Sequence, residues 1–214
     1  MAHSIHGAFK PNRNDNLCTP RILVECLKPY FEEWKKRAYL IEGYKPVIDS
    51  DTGKQCNNIV SVIKREPIVW CPADKENSEY VIFFKELGCK VIYSHIDYGQ
   101  DFLTYTPEEP FDIVCTNPPF SLKEAFFRRC NELGKPWILL GNLMAINYMC
   151  IGNYFADNPV QMLIPDKRIS FDGNPSSFCS GYFCKDFLTR DLEFCHLPHC
   201  NSGKDFVPSR MIGE

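Results

Sequence analysis

Along the chain, short apolar runs alternate with segments whose apolar residues recur at helical spacing, and the runs are too short to be helices themselves. Ile68-Val69-Trp70-Cys71 reads as a buried strand, 77–87 as a helix stopped by Gly88, and 90–94 as a second strand, which together make a βαβ unit. Upstream, Ile22, Leu23, Cys26, Leu27, Tyr30 and Phe31 share one helical face. Thr19 is placed to N-cap and Pro20 to occupy the first helical position, which predicts an amphipathic helix over 20–38 lying on the sheet. Between 41 and 67, turn residues around Asp49-Ser50-Asp51-Thr52-Gly53 predict a hairpin insertion with strands near 46–49 and 57–63. Farther on, Phe111-Asp112-Ile113-Val114-Cys115-Thr116 is another apolar run, 122–133 a helix stopped by Gly134, and 136–140 a strand. Strands are also expected at 161–164, 177–184 and 192–197, the last two as a hairpin. Such alternation predicts an α/β fold with a mostly parallel sheet, and the chain shows no internal repeat.

The candidate chemistry sits where the run 111–116 stops at Asn117-Pro118-Pro119-Phe120. Two prolines end a strand abruptly and deliver a stiff loop to the carboxyl edge of the sheet, where ligands of α/β proteins bind. An exocyclic amine on a purine is a poor nucleophile because its lone pair is delocalised into the ring. If the Asn117 side-chain oxygen and the Pro118 carbonyl accept its two hydrogens, the lone pair is freed toward an electrophilic methyl group. Pro118 and Pro119 fix their own φ values, so that carbonyl is aimed in advance. Phe120 offers a face for the base, worth roughly 1–3 kcal/mol of stacking. The alternative is a rigid turn with Phe120 in the core.

With these residues the chain resembles the S-adenosylmethionine-dependent amino-methyltransferases, most closely the small phage Dam-like DNA adenine N6-methyltransferases. The resemblance spans most of 15–195. It is carried by Asn16-Leu17-Cys18-Thr19-Pro20, by Gln100-Asp101-Phe102-Leu103, by 112–120, by Asp166-Lys167-Arg168-Ile169-Ser170-Phe171, and by Pro175-Ser176-Ser177-Phe178. It implies a Rossmann-like class I methyltransferase fold: a mostly parallel central sheet flanked by helices, with a C-terminal antiparallel hairpin. It also implies S-adenosylmethionine as cofactor and adenine-containing DNA as partner, the base being flipped out of the duplex. Asn117, Pro118, Pro119 and Phe120 become the catalytic set. Phe120, Lys167, Arg168 and Phe171 become substrate contacts, and Thr19-Pro20 opens a helix beside the cofactor, which Asn117 also borders.

Where such families place a glycine-rich turn after the first strand, this chain has Cys71-Pro72-Ala73-Asp74. Pro72 can shape the turn and Asp74 accept from the cofactor's ammonium group. Asp74 as a helix N-cap or first-turn acid is the competing assignment. At the end of the second strand, Asp97 is the carboxylate nearest the position that binds ribose hydroxyls, with His95 as a substitute. Asp101 stands where the resemblance puts an acceptor for the cofactor's adenine amine, with Phe102 against the ring, although Asp there also suits loop capping. The departure from the glycine pattern keeps a second class in view, a non-catalytic regulatory or binding module on a decayed methyltransferase scaffold. RNA bases or a protein glutamine are alternative substrates for the same tetrapeptide.

Composition narrows the setting. The 214 residues, 44% hydrophobic, suit one methyltransferase domain, with 41–67 inserted and 198–214 as a flexible tail. No apolar run reaches the roughly 18 residues of a membrane span. The first ten residues lack a signal-peptide core, and the 12 cysteines read as reduced thiols, so a cytoplasmic protein of a bacterium or phage-infected host is expected. A net charge of −3 gives no global attraction to phosphate. Basic surface must then come from Lys35-Lys36-Arg37, Lys64-Arg65, Arg128-Arg129 or Lys167-Arg168. Cys195-His196-Leu197-Pro198-His199-Cys200 contains zinc-ligand residue types, but adjacent Cys-His residues on a strand point to opposite faces, so no metal site is assigned.

Overall fold

The computed structural model describes residues 18–48, 52–53, 55–63, 65–171 and 179–197. The Asn16-Leu17 pair, the turn 49–51, the serine-rich run 175–178, and His199-Cys200 with the rest of the 198–214 tail lie outside the described residues.

Seven strands form one mixed sheet: β3 (Ile68–Pro72), β4 (Lys90–Ser94), β5 (Ile113–Thr116), β6 (Trp137–Asn142), β7 (Gln161–Pro165), β8 (Ser180–Lys185) and β9 (Leu192–Cys195), in the order β4-β3-β5-β6-β8-β7-β9. The pairs β3–β4, β3–β5, β5–β6 and β7–β9 are parallel, and β8 runs antiparallel to both β6 and β7. Two strands that precede them, β1 (Leu40–Ile48) and β2 (Gln55–Ile63), pair only with each other, antiparallel from Leu40↔Ile63 to Ile48↔Gln55. This is the expected hairpin, with longer arms than its turn residues suggest.

Period-2 alternation divides the core. Val69, Cys71, Ile113, Cys115, Ile138, Leu140, Tyr182 and Cys184 face α1 (Arg21–Glu25), α2 (Lys28–Tyr39) and α3 (Glu79–Glu86), whose Leu23, Phe31, Tyr80 and Phe84 are buried against them. The intervening Trp70, Val114, Trp137, Leu139 and Phe183 face α4 (Lys123–Leu133) and α5 (Met149–Asp157), through Phe126, Phe127, Ile151 and Phe155. The result is an α/β architecture with helices on both faces of a mostly parallel sheet, compatible with a Rossmann-like fold.

Three expectations change. The single helix over 20–38 is two helices, broken at Cys26-Leu27, because Pro29 has no N–H and its ring excludes the carbonyl of Glu25. Pro20 itself holds the N-cap position with no side-chain cap, so Thr19 does not cap. The strands near 177–184 and 192–197 exist but are not a hairpin: β9 pairs with the far side of β7. The linker between them is pinned over the start of β7, where Gln161 Oε1 accepts from Phe187 N (3.0 Å) and Leu188 N (2.9 Å), and Phe187 and Leu188 are buried. The antiparallel C-terminal pair is instead β7–β8. Helix α5, with the 3-10 turn Leu143–Asn147 before it, is an element the apolar spacing did not reveal.

Candidate active site at the carboxyl edge of the sheet

Strands β4, β3, β5 and β6 deliver their last residues, Ser94, Pro72, Thr116 and Asn142, to one edge, and β8 begins there with Ser180 opposite Asn142. The chain leaves β3 toward β4 on one side and returns to β5 on the other, which makes the β3–β5 boundary at that edge the topological switch point, where open α/β sheets form their ligand crevice.

Asp74 lies in this crevice, two residues beyond β3 and buried. Its N–H donates to Ser94 O (3.1 Å), and its Oδ2 accepts from Thr116 Oγ1 (2.7 Å) across the gap between β3 and β5. Burial pushes its carboxyl up to about 7, against the opposing effect of hydrogen bonds from Thr116 and Ser78. Both donors are hydroxyls, and among the described residues no cation pairs with it. Ser78, not Asp74, caps α3, accepting from Val81 N at 3.4 Å. The cap and first-turn assignments for Asp74 therefore fall away.

Between Pro72 and Asp74, Ala73 adopts φ +61, the left-handed conformation that favours glycine. Holding an L-residue there costs roughly 1–2 kcal/mol of local strain. Pro72 and Cys71 are buried, and burial pushes the Cys71 thiol well up, so those two residues offer the crevice backbone rather than side chains.

On the other wall, Asn117 follows Thr116. Its Oδ1 is buried and accepts no hydrogen bond from any described residue. Of the three buried side-chain polar atoms in that condition among the described residues, two, Asn117 Oδ1 and Ser180 Oγ, lie at this edge; the third is Arg129 Nε. An unsatisfied buried acceptor costs about 1–3 kcal/mol, so its persistence at a crevice marks a place where a donor belongs. Pro118 is buried, Pro119 holds φ −52 and ψ 130, and Phe120 is partly buried at the head of the 3-10 turn Phe120–Leu122 that leads into α4.

At the end of β4, His95 Nδ1 accepts from Asp97 N (3.1 Å), and burial lowers the imidazole pKa, so the neutral ring carries its proton on Nε2. The Asp97 carboxylate is exposed and paired with Lys75 Nζ at 2.7 Å, which pulls its pKa down. Asp101 Oδ1 accepts from Leu103 N (3.0 Å), so the loop-capping role is present in the structure. Phe102 is a core residue, with ring centroids 5.2 Å from Trp70 and 4.6 Å from Phe126, and it props the loop from beneath rather than offering a face. Phe171 is likewise in the core, which removes it as an exposed substrate contact. Lys167 Nζ donates to Leu197 O (2.8 Å), while Arg168 is exposed beyond β7. Thr19 is buried and Pro20 half-buried ahead of α1.

The expected basic patches are largely internal bracing. Lys35 is buried against Glu32 and Glu66, Arg37 donates to the carbonyls of Phe187 and Leu188, Arg65 binds Asp112, and Arg128 binds Glu124. Two sets of contributors escaped sequence reasoning. One is Ser94 and Thr116, fully buried hydroxyl residues at the last positions of β4 and β5, which hold Trp70 Nε1 (3.0 Å) and Asp74 respectively. A small polar residue directly after a run of apolar strand residues is the signal that marks them. The other is an apolar rim: Met144, Ile146, Tyr148 and Met149 are exposed. It is joined to the start of α4 by Lys123 Nζ, 4.6 Å from the Tyr148 ring centroid.

No family model matches the chain, and no curated protein is similar enough to be matched.

Proposed function

We propose that the chain is a class I methyltransferase that transfers a methyl group from S-adenosylmethionine to the N6 amine of adenine in DNA. The observation that carries this reading is the buried, unpartnered Asn117 Oδ1 one residue beyond the Thr116–Asp74 hydrogen bond, in the sheet-edge crevice. The sheet supports it: a parallel array with one antiparallel strand, β8, inserted next to β6 suits the fold that the resemblance implies.

The residues fit the cofactor. Asp74 is a buried carboxyl without a cationic partner, the complement of an ammonium group, and the left-handed Ala73 lets backbone approach the ligand as a glycine turn does. His95 Nε2–H is a donor for a ribose hydroxyl oxygen, a different solution from the acceptor carboxylate expected at Asp97. The cofactor, when bound, supplies the electrophilic methyl. Asn117 Oδ1 and the Pro118 carbonyl take the two amine hydrogens, so the nitrogen lone pair is turned out of conjugation and held in line. Phe120 presents its ring to the flipped base, and the rim from Met144 to Met149 gives neighbouring bases apolar surface.

The deciding experiment is methyl incorporation from labelled S-adenosylmethionine into unmethylated, mixed-sequence DNA, with nucleoside analysis of the product. The expected outcome is N6-methyladenine. Cofactor binding with label appearing only in RNA or protein would move the substrate, and no cofactor binding with or without DNA would favour a regulatory module.

A further inference from the structure

The cysteines fall into distinct environments. Cys71, Cys115, Cys130 and Cys184 are buried in the sheet and α4, and burial pushes each thiol up. Cys18 and Cys150 are exposed. Cys26 and Cys195 belong to neither group. Cys26 lies in the turn that Pro29 forces between α1 and α2, and Cys195 is the last residue of the edge strand β9. Both line one surface cavity of about 320 Å3, with Ile22, Tyr30 and His196. The cavity is held at that width by Tyr30 Oη, which donates to Phe194 O at 3.0 Å beside the pair.

Cys26 Sγ–H donates to Leu23 O at 2.9 Å. Across the cavity the two thiols act on each other, raising the Cys26 thiol and lowering that of Cys195. A less basic thiol facing a second thiol across a cavity open to small solutes is the arrangement in which exchange is fast and resolution follows it.

We propose that Cys26 and Cys195 are a redox-active pair that a small disulfide of the glutathione type closes into an intramolecular disulfide, clamping β9 onto the helical turn. The Cys195 thiolate attacks one sulfur of the donor disulfide, forming a mixed disulfide and releasing one donor thiolate. Cys26 then gives up its proton and attacks Cys195 Sγ, forming the protein S–S bond and releasing the second donor thiolate. The two protein thiols are oxidised by two electrons in total, the donor is reduced to two thiols, and their protons end on those products. The consequence reaches the proposed cofactor side, because α1 follows Thr19-Pro20 directly and Leu23 O also accepts from Tyr182 Oη at 2.8 Å. The bridge itself is independent of the methyl-transfer reading.

The test is the full chain equilibrated in glutathione buffers from reducing to oxidising, alkylated, digested without reduction and mapped. The expected result is a Cys26–Cys195 cross-linked peptide as the main internal bridge, an intact mass lower by two hydrogens, and glutathione adducts at Cys18 and Cys150. Cys26→Ser should convert the bridge into a persistent glutathione adduct on Cys195, and oxidation should slow backbone hydrogen exchange in β9 of the unmodified protein but not of this variant. A main bridge from Cys195 to Cys200 or to any other cysteine overturns the proposal. So does glutathionylated Cys195 as the end product in the unmodified protein, or no bridge at the most oxidising poise.

Discussion

The two edges of the sheet each carry an aspartate beside β5, and they treat it in opposite ways. At the amino edge, Asp112 accepts from Arg65 Nη1 (2.6 Å) and Nη2 (2.7 Å) and from Ile68 N (2.7 Å). Although burial opposes it, these bonds hold its pKa below the usual carboxylate value. At the carboxyl edge, Asp74 has only hydroxyl donors and burial raises it to about 7. The amino edge also holds a cavity of about 540 Å3, lined by Arg65, Asp112 and Tyr39, but those charges already satisfy one another. A cavity whose polar groups are already paired has little left to offer a ligand. The carboxyl edge keeps a buried carboxyl with no cation beside it among the described residues, an orphaned amide oxygen and a left-handed alanine, each of which costs stability without a ligand.

The largest expected effect comes from removing what the carboxyl edge holds in reserve. Asn117→Ala should lower methyl transfer by about 10²-fold or more, because the amine loses an aligned acceptor, while deleting an unsatisfied oxygen leaves stability unchanged or higher. Transfer rates and thermal melts on the same preparation check it, and near-normal turnover would sink the alignment role. Phe120→Leu, which keeps apolar volume and loses the π-face, should weaken DNA binding by roughly 1–3 kcal/mol. A fully active leucine variant would return Phe120 to packing alone.

The mirror experiment is at the amino edge. Asp112→Ala should destabilise the fold by about 2 kcal/mol, because it orphans Ile68 N–H and releases Arg65 from a two-bonded contact that is partly screened on its exposed side. Cofactor affinity should stay within about twofold, since the change lies at the other end of β5. Denaturant midpoints and calorimetry separate the two readouts, and a large loss of cofactor affinity would show that the edges are coupled.

The contrast explains what could be read from the chain. Continuous apolar runs in β3, β5 and β6 exposed the strands because both faces of a central sheet are buried. The tetrapeptide at 117–120 marked the carboxyl end of β5 because prolines end a strand locally. The partners of Asp74 were hidden, since Thr116 and Ser94 come from strands 42 and 20 residues away in sequence and only the parallel register brings them together. The same holds for β9: a six-residue linker suggests a hairpin, and the Gln161 side chain that redirects it lies 26 residues upstream. Phe102 and Phe171 were assigned to ligands because an aromatic beside a motif looks functional, yet packing against Trp70 and within the α1–α3 face claims them.

Protonation gives the two aspartates opposite signs. Between the ordinary value of 3.8 and about 7, Asp74 is ionised in the unfolded chain and protonated in the folded one, so its contribution to stability falls as pH rises through that window and is flat above it. Asp112, with its folded pKa below 3.8, contributes stability that is complete above 3.8 and lost as pH falls through its folded value. Asp74→Asn should therefore stabilise the protein at pH 8 by on the order of 1–3 kcal/mol and leave it unchanged near pH 4. The same variant should bind S-adenosylmethionine more weakly. The unmodified protein should bind it more tightly as pH rises through about 7, where Asp74 becomes the anion that an ammonium group needs. Equal stabilisation at both pH values would place the effect in packing instead.

The smallest expected effect discriminates most finely between a strained turn and a working one. Ala73→Gly relieves a left-handed φ and should gain up to about 1 kcal/mol, less the added freedom of glycine in the unfolded chain. If the turn serves only to connect β3 to α3, Ala73→Ser, which leaves φ as unfavourable as alanine does, should leave every property unchanged. If backbone approach to the cofactor is what the turn provides, the glycine variant keeps or improves cofactor affinity. Ala73→Val, whose branched side chain resists φ near +61 and adds bulk beside Asp74, should then lose affinity by more than its loss of stability accounts for. Calorimetric titration of the three variants, read beside their melting temperatures, decides it: affinity that merely tracks stability across glycine, serine and valine would make Ala73 a connector and leave Asp74 as the only cofactor contact on that wall of the crevice.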